Sequence, residues 1–390
     1  MEFNAHHHLR IGRQNGGRCR AISRNLSENK GGVPMNSRVN QLLTALSDQG
    51  VDAMLIASSQ NRRYLSGFSG SNGILFIHPE KRLLVTDFRY KEQAGRQAPD
   101  YEVVMTSQFL SMFGSIREAA EALGVKRIGF ESDRMTVDWA AGAKRDLPGI
   151  ELIPCGGLVE RIRASKDEYE ISCIATAQRT AELAFQEVLG IIRPGICEYD
   201  IAAEIGYRMA KSGCITSFNT IAASGENGSM PHAVLSNRVI QRGDFITMDF
   251  GCVYNGYCSD MTRTVAVGQP SEEMAEVYRI VLEAQRRALD LIAPGVNCFD
   301  VDTAARGYIS DMGYGEYFGH GLGHSFGLEV HEEPRFSPQC HENLVPGICI
   351  SVEPGIYLPG KFGVRIEDTV CITEDGYRNF TSTPKELIIL

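Results

Sequence analysis

With 390 residues, 43% of them hydrophobic, the chain is long enough to bury two domain-sized cores. Its formal net charge of −9 leaves no basic stripe to displace counterions from nucleic acid, so that partner is excluded. Eleven cysteines without one Cys-x-x-Cys pair exclude a disulfide scaffold and a thiolate zinc site, and point to reduced thiols in the cytoplasm.

Residues 1–34 carry His6, His7 and His8, several arginines and many Gly, Ser and Asn, with no apolar periodicity. They read as a disordered leader or tag-like extension whose histidines bind metal only adventitiously. Nothing in them is long or apolar enough for a signal peptide or a membrane span.

From residue 35 to 163 helical and strand patterns alternate. Val39, Leu42, Leu43 and Leu46 predict a helix that Gly50 closes. Strands are predicted at Ala53–Ala57, Ile74–Ile77, Leu83–Thr86, Glu102–Met105 and Arg127–Phe130, with helices near Tyr90–Gln97, Ser111–Leu123 and Val137–Lys144. The expectation is an α/β domain with helices over a mixed sheet. Asn61–Gly73 is rich in Gly and Ser but lacks the Lys-Ser/Thr ending of a phosphate loop, so it reads as an ordinary loop. Ser165 to Glu168 reads as a capping box opening a helix through Phe185, and the domain boundary is placed just before it, at 163/164.

Residues 164–390 contain an internal repeat. Ile191–Asp200, followed by Gly213, recurs as Leu291–Asp300, followed by Gly313. Each copy breaks a long helix with Pro-Gly and starts another that a Gly ends; the second long helix has Ser271 as its cap. Cys197 departs from the Ser or Thr expected at the start of the second helix. Downstream, Ile246–Gly251 has a counterpart in Ile350–Gly355, and Asp260 one in Glu367.

The stretch 246–262 organises this domain. Asn255-Gly256 between Tyr254 and Tyr257 suits a two-residue type I′ turn, because both central residues need positive φ. That turn sets Tyr254 opposite Tyr257, Val253 opposite Cys258 and Gly251 opposite Asp260. Side chains alternate along a strand, so Asp249 shares Asp260's face as a diagonal neighbour roughly 7 Å away at the backbone. Two like charges aimed at one spot repel unless a cation sits there. In the second hairpin Glu353 and Glu367 are an even number of positions apart, and a near-symmetric loop places them face to face. His320, His324 and His331 follow within a glycine-rich run that lacks the βαβ setting of a dinucleotide site. The glycines let backbone crowd the site while the imidazoles point into it.

The Asp249/Asp260 hairpin, the His-Gly-Leu-Gly-His segment, the Glu353-Pro-Gly strand and Val364-Arg-Ile-Glu-Asp368 together resemble the pita-bread metallopeptidases, across nearly all of residues 165–385. Asn61–Gly73 with Thr86–Tyr90 looks like the creatinase/prolidase-type amino-terminal domain, which favours the Xaa-Pro branch of that family. The resemblance implies an α/β (α+β) architecture: a creatinase-like domain at 35–163, then a pseudo-twofold catalytic domain at 164–390. It implies two divalent ions, Mn²⁺ by preference with Co²⁺, Fe²⁺ or Zn²⁺ as substitutes, activating a shared water. Asp249 would hold one ion, Asp260 and Glu367 would bridge both, and His324 with Glu353 would complete the other. Glu353 would be the general base, and His331 and His232 would donate a proton and polarise the carbonyl. His320 resembles a substrate-pocket residue, and Arg365 would order a neighbouring carboxylate beside the substrate. The implied substrates are peptides with proline in second position, split by an Xaa-Pro aminopeptidase or dipeptidase, with a homodimer as the expected assembly and no membrane association. A metal-free creatinase-like amidinohydrolase and a non-catalytic peptide-binding module of the same fold are the alternatives. Retention of all five ligand positions counts against both.

Overall fold

Val39, Leu42 and Leu46 recur at helical spacing, and in the computed structural model, which describes residues 35–108 and 111–390, they are buried on one face of α1 (Met35–Asp48). The expectation for residues 1–34, with His6, His7 and His8, lies outside the described residues. Gly50, at φ 63°, ends the segment and donates its N–H to Ser47 O at 2.9 Å.

Six strands follow: β1 (Ala53–Ile56), β2 (Ile74–His78), β3 (Lys81–Thr86), β4 (Glu102–Met105), β5 (Arg127–Phe130) and β6 (Glu151–Pro154). They lie in the order β4-β3-β2-β1-β5-β6. β1 runs antiparallel to β2 and parallel to β5, giving the mixed sheet that the sequence predicts. β6 and the helix Leu158–Ala164 were not foreseen. β6 is a half-exposed edge strand without clean alternation, and the helix is too short to show a period. Asn61–Gly73 is only partly a loop, because Ser59–Ser66 is helical, capped by Ser58 and ended by Gly67 at φ 79°. Buried Arg62 ties the remainder down by donating to the carbonyls of Ala57, Gly70 and Gly73. Those donors are spent on backbone, not on phosphate.

The helix Glu168–Leu189 starts later than the sequence suggests. Asp167, not Ser165, is its cap: Glu170 N donates to Asp167 Oδ1 at 2.9 Å and Asp167 N donates back to Glu170 Oε2 at 3.0 Å. Ser165 is held in extended backbone by a bridge to Ile348 and donates its hydroxyl to Pro346 O.

The repeat is real down to single hydrogen bonds. Helices Glu168–Leu189 and Glu198–Lys211 are matched by Glu272–Leu291 and Cys298–Asp311. At the two Pro-Gly corners Gly195 N donates to Ile240 O and Gly295 N to Leu344 O, while Ile240 N returns to Ile196 O and Leu344 N to Val296 O, both at 2.8 Å. Ser271 caps the second long helix as expected. Cys197 leaves its cap to Asp200, whose carboxylate accepts the Cys197 N–H at 2.8 Å.

Each half then lays down three antiparallel strands in the same order, Ile221–Ser224, Phe245–Phe250 and Met261–Ala266 in one, Gly323–Ser325, Cys349–Val352 and Asp368–Ile372 in the other. Between its second and third strands each half swings out a hairpin, Cys252–Tyr254 with Tyr257–Cys258, and Gly355–Leu358 with Phe362–Arg365. Helices cover the outer faces: Phe185 stacks on Phe250 in one half, and Val277, Val281 and Ala284 pack with Ile350 and Ile366 in the other. The result is a pseudo-twofold α/β domain whose two hairpin roots meet.

Candidate active site

All four acidic residues singled out by the sequence sit where a strand pair peels away from its sheet. Asp249 is the fifth residue of Phe245–Phe250, Asp260 precedes Met261, Glu353 follows Val352 and Glu367 precedes Asp368. The first hairpin has the expected turn, with Asn255 at φ 47° and Gly256 at φ 82°, and the expected pairs Val253–Cys258 and Tyr254–Tyr257. The same register continues to Asp249 opposite Thr262. In the second half Val352 faces Asp368 and Gly355 faces Arg365, which leaves Glu353 across from Glu367.

Carboxylate oxygens of Asp249, Asp260 and Glu367 lie within 4.8 Å of one another. Burial raises the Asp260 carboxyl well above its ordinary range, and the neighbouring Glu367 and Asp249 push it further. Burial with Glu353 and Asp249 does the same to Glu367, and burial raises Asp249 against the pull of Arg365. Among the described residues, Asp249 Oδ1, Asp260 Oδ1 and Glu367 Oε1 are buried without a hydrogen-bond partner. A tight trio of carboxylates, each with one orphaned buried oxygen, is a fit for a hard divalent cation, which would supply the partner each lacks.

His324 meets this cluster from the neighbouring strand. Its Nδ1 lies 3.2 Å from Ser325 O, and a carbonyl can only accept, so Nδ1 carries the proton and Nε2 offers its lone pair. Nε2 stands 3.3 Å from Glu353 Oε1 and 3.7 Å from Asp260 Oδ2. Burial disfavours charge on Glu353, but without a metal a doubly protonated His324 outweighs it and pulls the carboxyl down to about 2; a bound ion would take the place of that second proton, on Nε2. The close approach needs Gly323: a Cβ there would fall 2.0 Å from Ser351 O.

Arg365 is 3% exposed and all of its side-chain nitrogens have partners. Nη2 donates to Asp249 Oδ2 at 2.7 Å, Nε to Thr262 Oγ1, and Nη1 to Tyr357 Oη and to Pro231 O. It therefore orders Asp249 and anchors the loop that carries His232. His320 Nδ1 donates to Gly321 O, so Nε2 accepts the Tyr357 hydroxyl at 2.9 Å, and the ring, not a free nitrogen, faces the cavity. His331 lies edge-on to His324 with centroids 4.4 Å apart; burial and then His324 push it down to about 4. A cavity of about 640 Å³ is lined by Asp249, Asp260, Glu353, His232, His320, His324, His331 and Arg365, with Glu367 behind it.

Three hydroxyls were missed. Thr262 Oγ1 donates to Glu367 Oε2 at 2.8 Å, Ser351 Oγ donates to Glu353 Oε1 at 3.0 Å, and Tyr357 links Arg365 to His320. The period of two held the signal for the first pair: Thr262 and Ser351 are each two residues from a carboxylate on the same strand face.

Residues 172–374 match the metallopeptidase family M24, and residues 38–165 match the creatinase/prolidase N-terminal domain. The uncharacterized peptidase YqhT of Bacillus subtilis (strain 168) is 42% identical over 354 residues, 90% of this chain and all of that protein. A solved Xaa-Pro dipeptidase from Bacillus anthracis superposes with a TM-score of 0.89 at 42% identity, covering 91% of this chain and 100% of that one. An X-Pro aminopeptidase from Thermotoga maritima MSB8 gives 0.85 at 39% identity, covering 90% of this chain and 100% of that one. With its twofold-repeated catalytic domain, its acidic cluster and these matches, the chain belongs to metallopeptidase family M24 and is a pita-bread metallopeptidase with a creatinase/prolidase-type amino-terminal domain.

Proposed function

We propose that the protein hydrolyses Xaa-Pro bonds with two divalent ions, Mn²⁺ by preference, as an Xaa-Pro aminopeptidase or dipeptidase. The observation that carries the reading is the buried trio Asp249, Asp260 and Glu367, with three partnerless oxygens, beside His324 and Glu353 at the floor of the cavity. Asp249 would hold one ion and His324 with Glu353 the other, Asp260 and Glu367 being shared. An oxygen-rich set with one imidazole suits Mn²⁺ better than a structural zinc site. When bound, the metal supplies Lewis acidity to the scissile carbonyl and makes water a better nucleophile.

The remaining work falls to this chain's side chains. Glu353 takes a proton at the carboxylate that the Ser351 hydroxyl holds in place. His331 and His232 stand on the cavity wall, where one N–H can polarise the carbonyl and the other serve the departing nitrogen. An imide bond has no N–H for an enzyme to grip, so a site that works through the carbonyl and the nitrogen lone pair suits proline. His320 and Tyr357 shape the wall, and Arg365 keeps Asp249 aimed inward. The names of the Bacillus anthracis and Thermotoga maritima proteins support both product classes equally. A homodimer in the cytoplasm completes the reading, with exposed Ile215 and Val234 available to a second copy.

Mn²⁺-loaded protein should split Ala-Pro, Gly-Pro or an Xaa-Pro-Xaa tripeptide and leave Ala-Ala intact. The relative rates on dipeptide and tripeptide decide between the two classes. No cleavage of any of the three, or fewer than about one bound ion per chain at saturating Mn²⁺, returns the site to the creatinase-like or silent alternatives.

A further inference from the structure

The loop that delivers His331 is held from outside the cavity. Glu332, its neighbour, has an 8% exposed side chain paired with Arg163 Nη2 and, at 3.1 Å, with Lys166 Nζ. Glu332 Oε1 also accepts the Glu329 N–H at 3.1 Å, which closes the loop on itself. The Arg163 and Lys166 side chains are only 3% and 1% exposed. Glu329 in turn pairs with Arg163 at 3.1 Å and with Arg134 at 2.8 Å.

The contacts continue into the amino-terminal sheet. Arg163 Nη1 donates to Asn61 Oδ1, and Asn61 Nδ2 donates to Glu131 Oε1, each at 2.6 Å. Glu131 Oε2 accepts the N–H groups of Ala57 and Ser58, just past the end of β1. An unbroken polar path thus joins the amino-terminal domain to the residue beside His331. None of Glu332, Lys166 and Arg163 lines the catalytic cavity.

A buried ion cluster adds little net stability over an apolar replacement, so its presence is better explained by the geometry it enforces. That geometry is tight: a Cβ on Gly327 would come within 2.9 Å of Lys166 Cε and 3.0 Å of Glu332 Oε1. Glu332 opens the strand Glu332–Phe336, and His331 stands at the bend immediately before it, with its ring edge-on to His324 on the cavity wall. Pinning Glu332 into the ion cluster therefore fixes the backbone next to the bend from which His331 reaches the cavity.

We propose that Glu332, gripped by Lys166 and Arg163, is a positioning residue that aims His331 into the catalytic cavity, so that the amino-terminal domain contributes to turnover through it. The inference rests on the reading of His331 as a substrate-facing group of an Xaa-Pro peptidase. The test is a double-mutant cycle on the full-length, Mn²⁺-loaded protein, with Mn²⁺ content measured for every variant. Glu332→Gln should lower kcat about tenfold or more with little change in KM or bound Mn²⁺. In a His331→Ala background the same change should cost nothing further, because the group it positions is gone. Lys166→Met should mimic it, Lys166→Arg should restore most of the rate, and amide exchange across 327–332 should quicken in Glu332→Gln and Lys166→Met. Should Glu332→Gln not fold, the Lys166 pair and Glu329→Gln carry the same cycle. Losses that multiply in the double variant, or an active wild type with an unimpaired Glu332→Gln, overturn the positioning role alone. A wild type that splits no Xaa-Pro peptide overturns the functional reading and takes this inference with it.

Discussion

In the first half of the catalytic domain the carboxylates stand diagonally: Asp249 faces Thr262, and the same register puts Asp260 across from Gly251. In the second half they stand face to face, with Glu353 across from Glu367 between the pairs Val352–Asp368 and Gly355–Arg365. Asp260 and Glu367 are thus counterparts in the site but not in the register; Thr262 holds the place opposite Asp249, and its hydroxyl serves Glu367 across the pseudo-twofold axis. The neighbouring strands differ as well. His324 sits beside Ser351, to whose Oγ its N–H donates, whereas Ala223 occupies the matching place beside Thr247. The repeat supplied a scaffold, and the chemistry laid on it is asymmetric: one half brings shorter acids, the other longer acids and the imidazole.

The largest effect expected from breaking this arrangement is at its centre. Asp260→Asn removes a charge that Asp249 and Glu367 both confront, and hydrolysis should fall by about a thousandfold or more. The fold should survive, because in metal-free protein the neutral amide relieves repulsion between buried like charges. Chelation should therefore lower the wild-type Tm more than that of Asp260→Asn. Turnover near the wild-type rate would remove Asp260 from the site. Next comes Glu353→Gln in the second half, which should retain metal yet lose about 10²–10⁴ in kcat if this carboxylate moves the proton. A rate within a fewfold of wild type would assign the base elsewhere.

Thr262→Val probes the crossing between the halves. It deletes the hydroxyl that donates to Glu367 Oε2 and accepts from Arg365 Nε, leaving both buried groups one partner short. A stability loss of about 1–3 kcal/mol and a rate loss on the order of tenfold are expected, read by thermal unfolding and kcat. A silent Thr262→Val would mean that the two halves hold their carboxylates independently.

Much of this was legible in the sequence because the turn chemistry is local. Asn255-Gly256 demands positive φ at two successive residues, and from that one constraint the register of Asp249 and Asp260 follows. The even spacing of Glu353 and Glu367 was enough for the second hairpin, whose loop does prove near-symmetric. What stayed hidden depends on partners far along the chain. Thr262 and Glu367 are 105 residues apart, and no local pattern announces that bond. Ser59–Ser66 was obscured because its buried face includes Asn61 and Arg62, polar residues made burial-competent by distant Glu131 and nearby carbonyls. The cap at Asp167 was misplaced because the backbone bridge from Ser165 to Ile348 cannot be read from the capping motif alone.

The smallest predicted effects compare the two hairpin turns. Gly256 and Gly360 both adopt left-handed backbone, at φ 82° and φ 70°, so alanine at either should cost about 1–2 kcal/mol from conformation alone. Their surroundings differ. A Cβ on Gly256 would fall 2.3 Å from Arg63 Cζ in the amino-terminal domain, while a Cβ on Gly360 meets nothing within 4 Å. Arg63 can swing aside, so Gly256→Ala should lower the Tm only modestly more than Gly360→Ala, with kcat within about twofold of wild type for both. Equal losses would mean that Arg63 yields freely and the first hairpin owes its register to the turn alone. A kcat that fell with Gly256→Ala but not with Gly360→Ala would show the opposite: that the diagonal Asp249/Asp260 pair depends on this tight turn, whereas the facing Glu353/Glu367 pair tolerates a looser one.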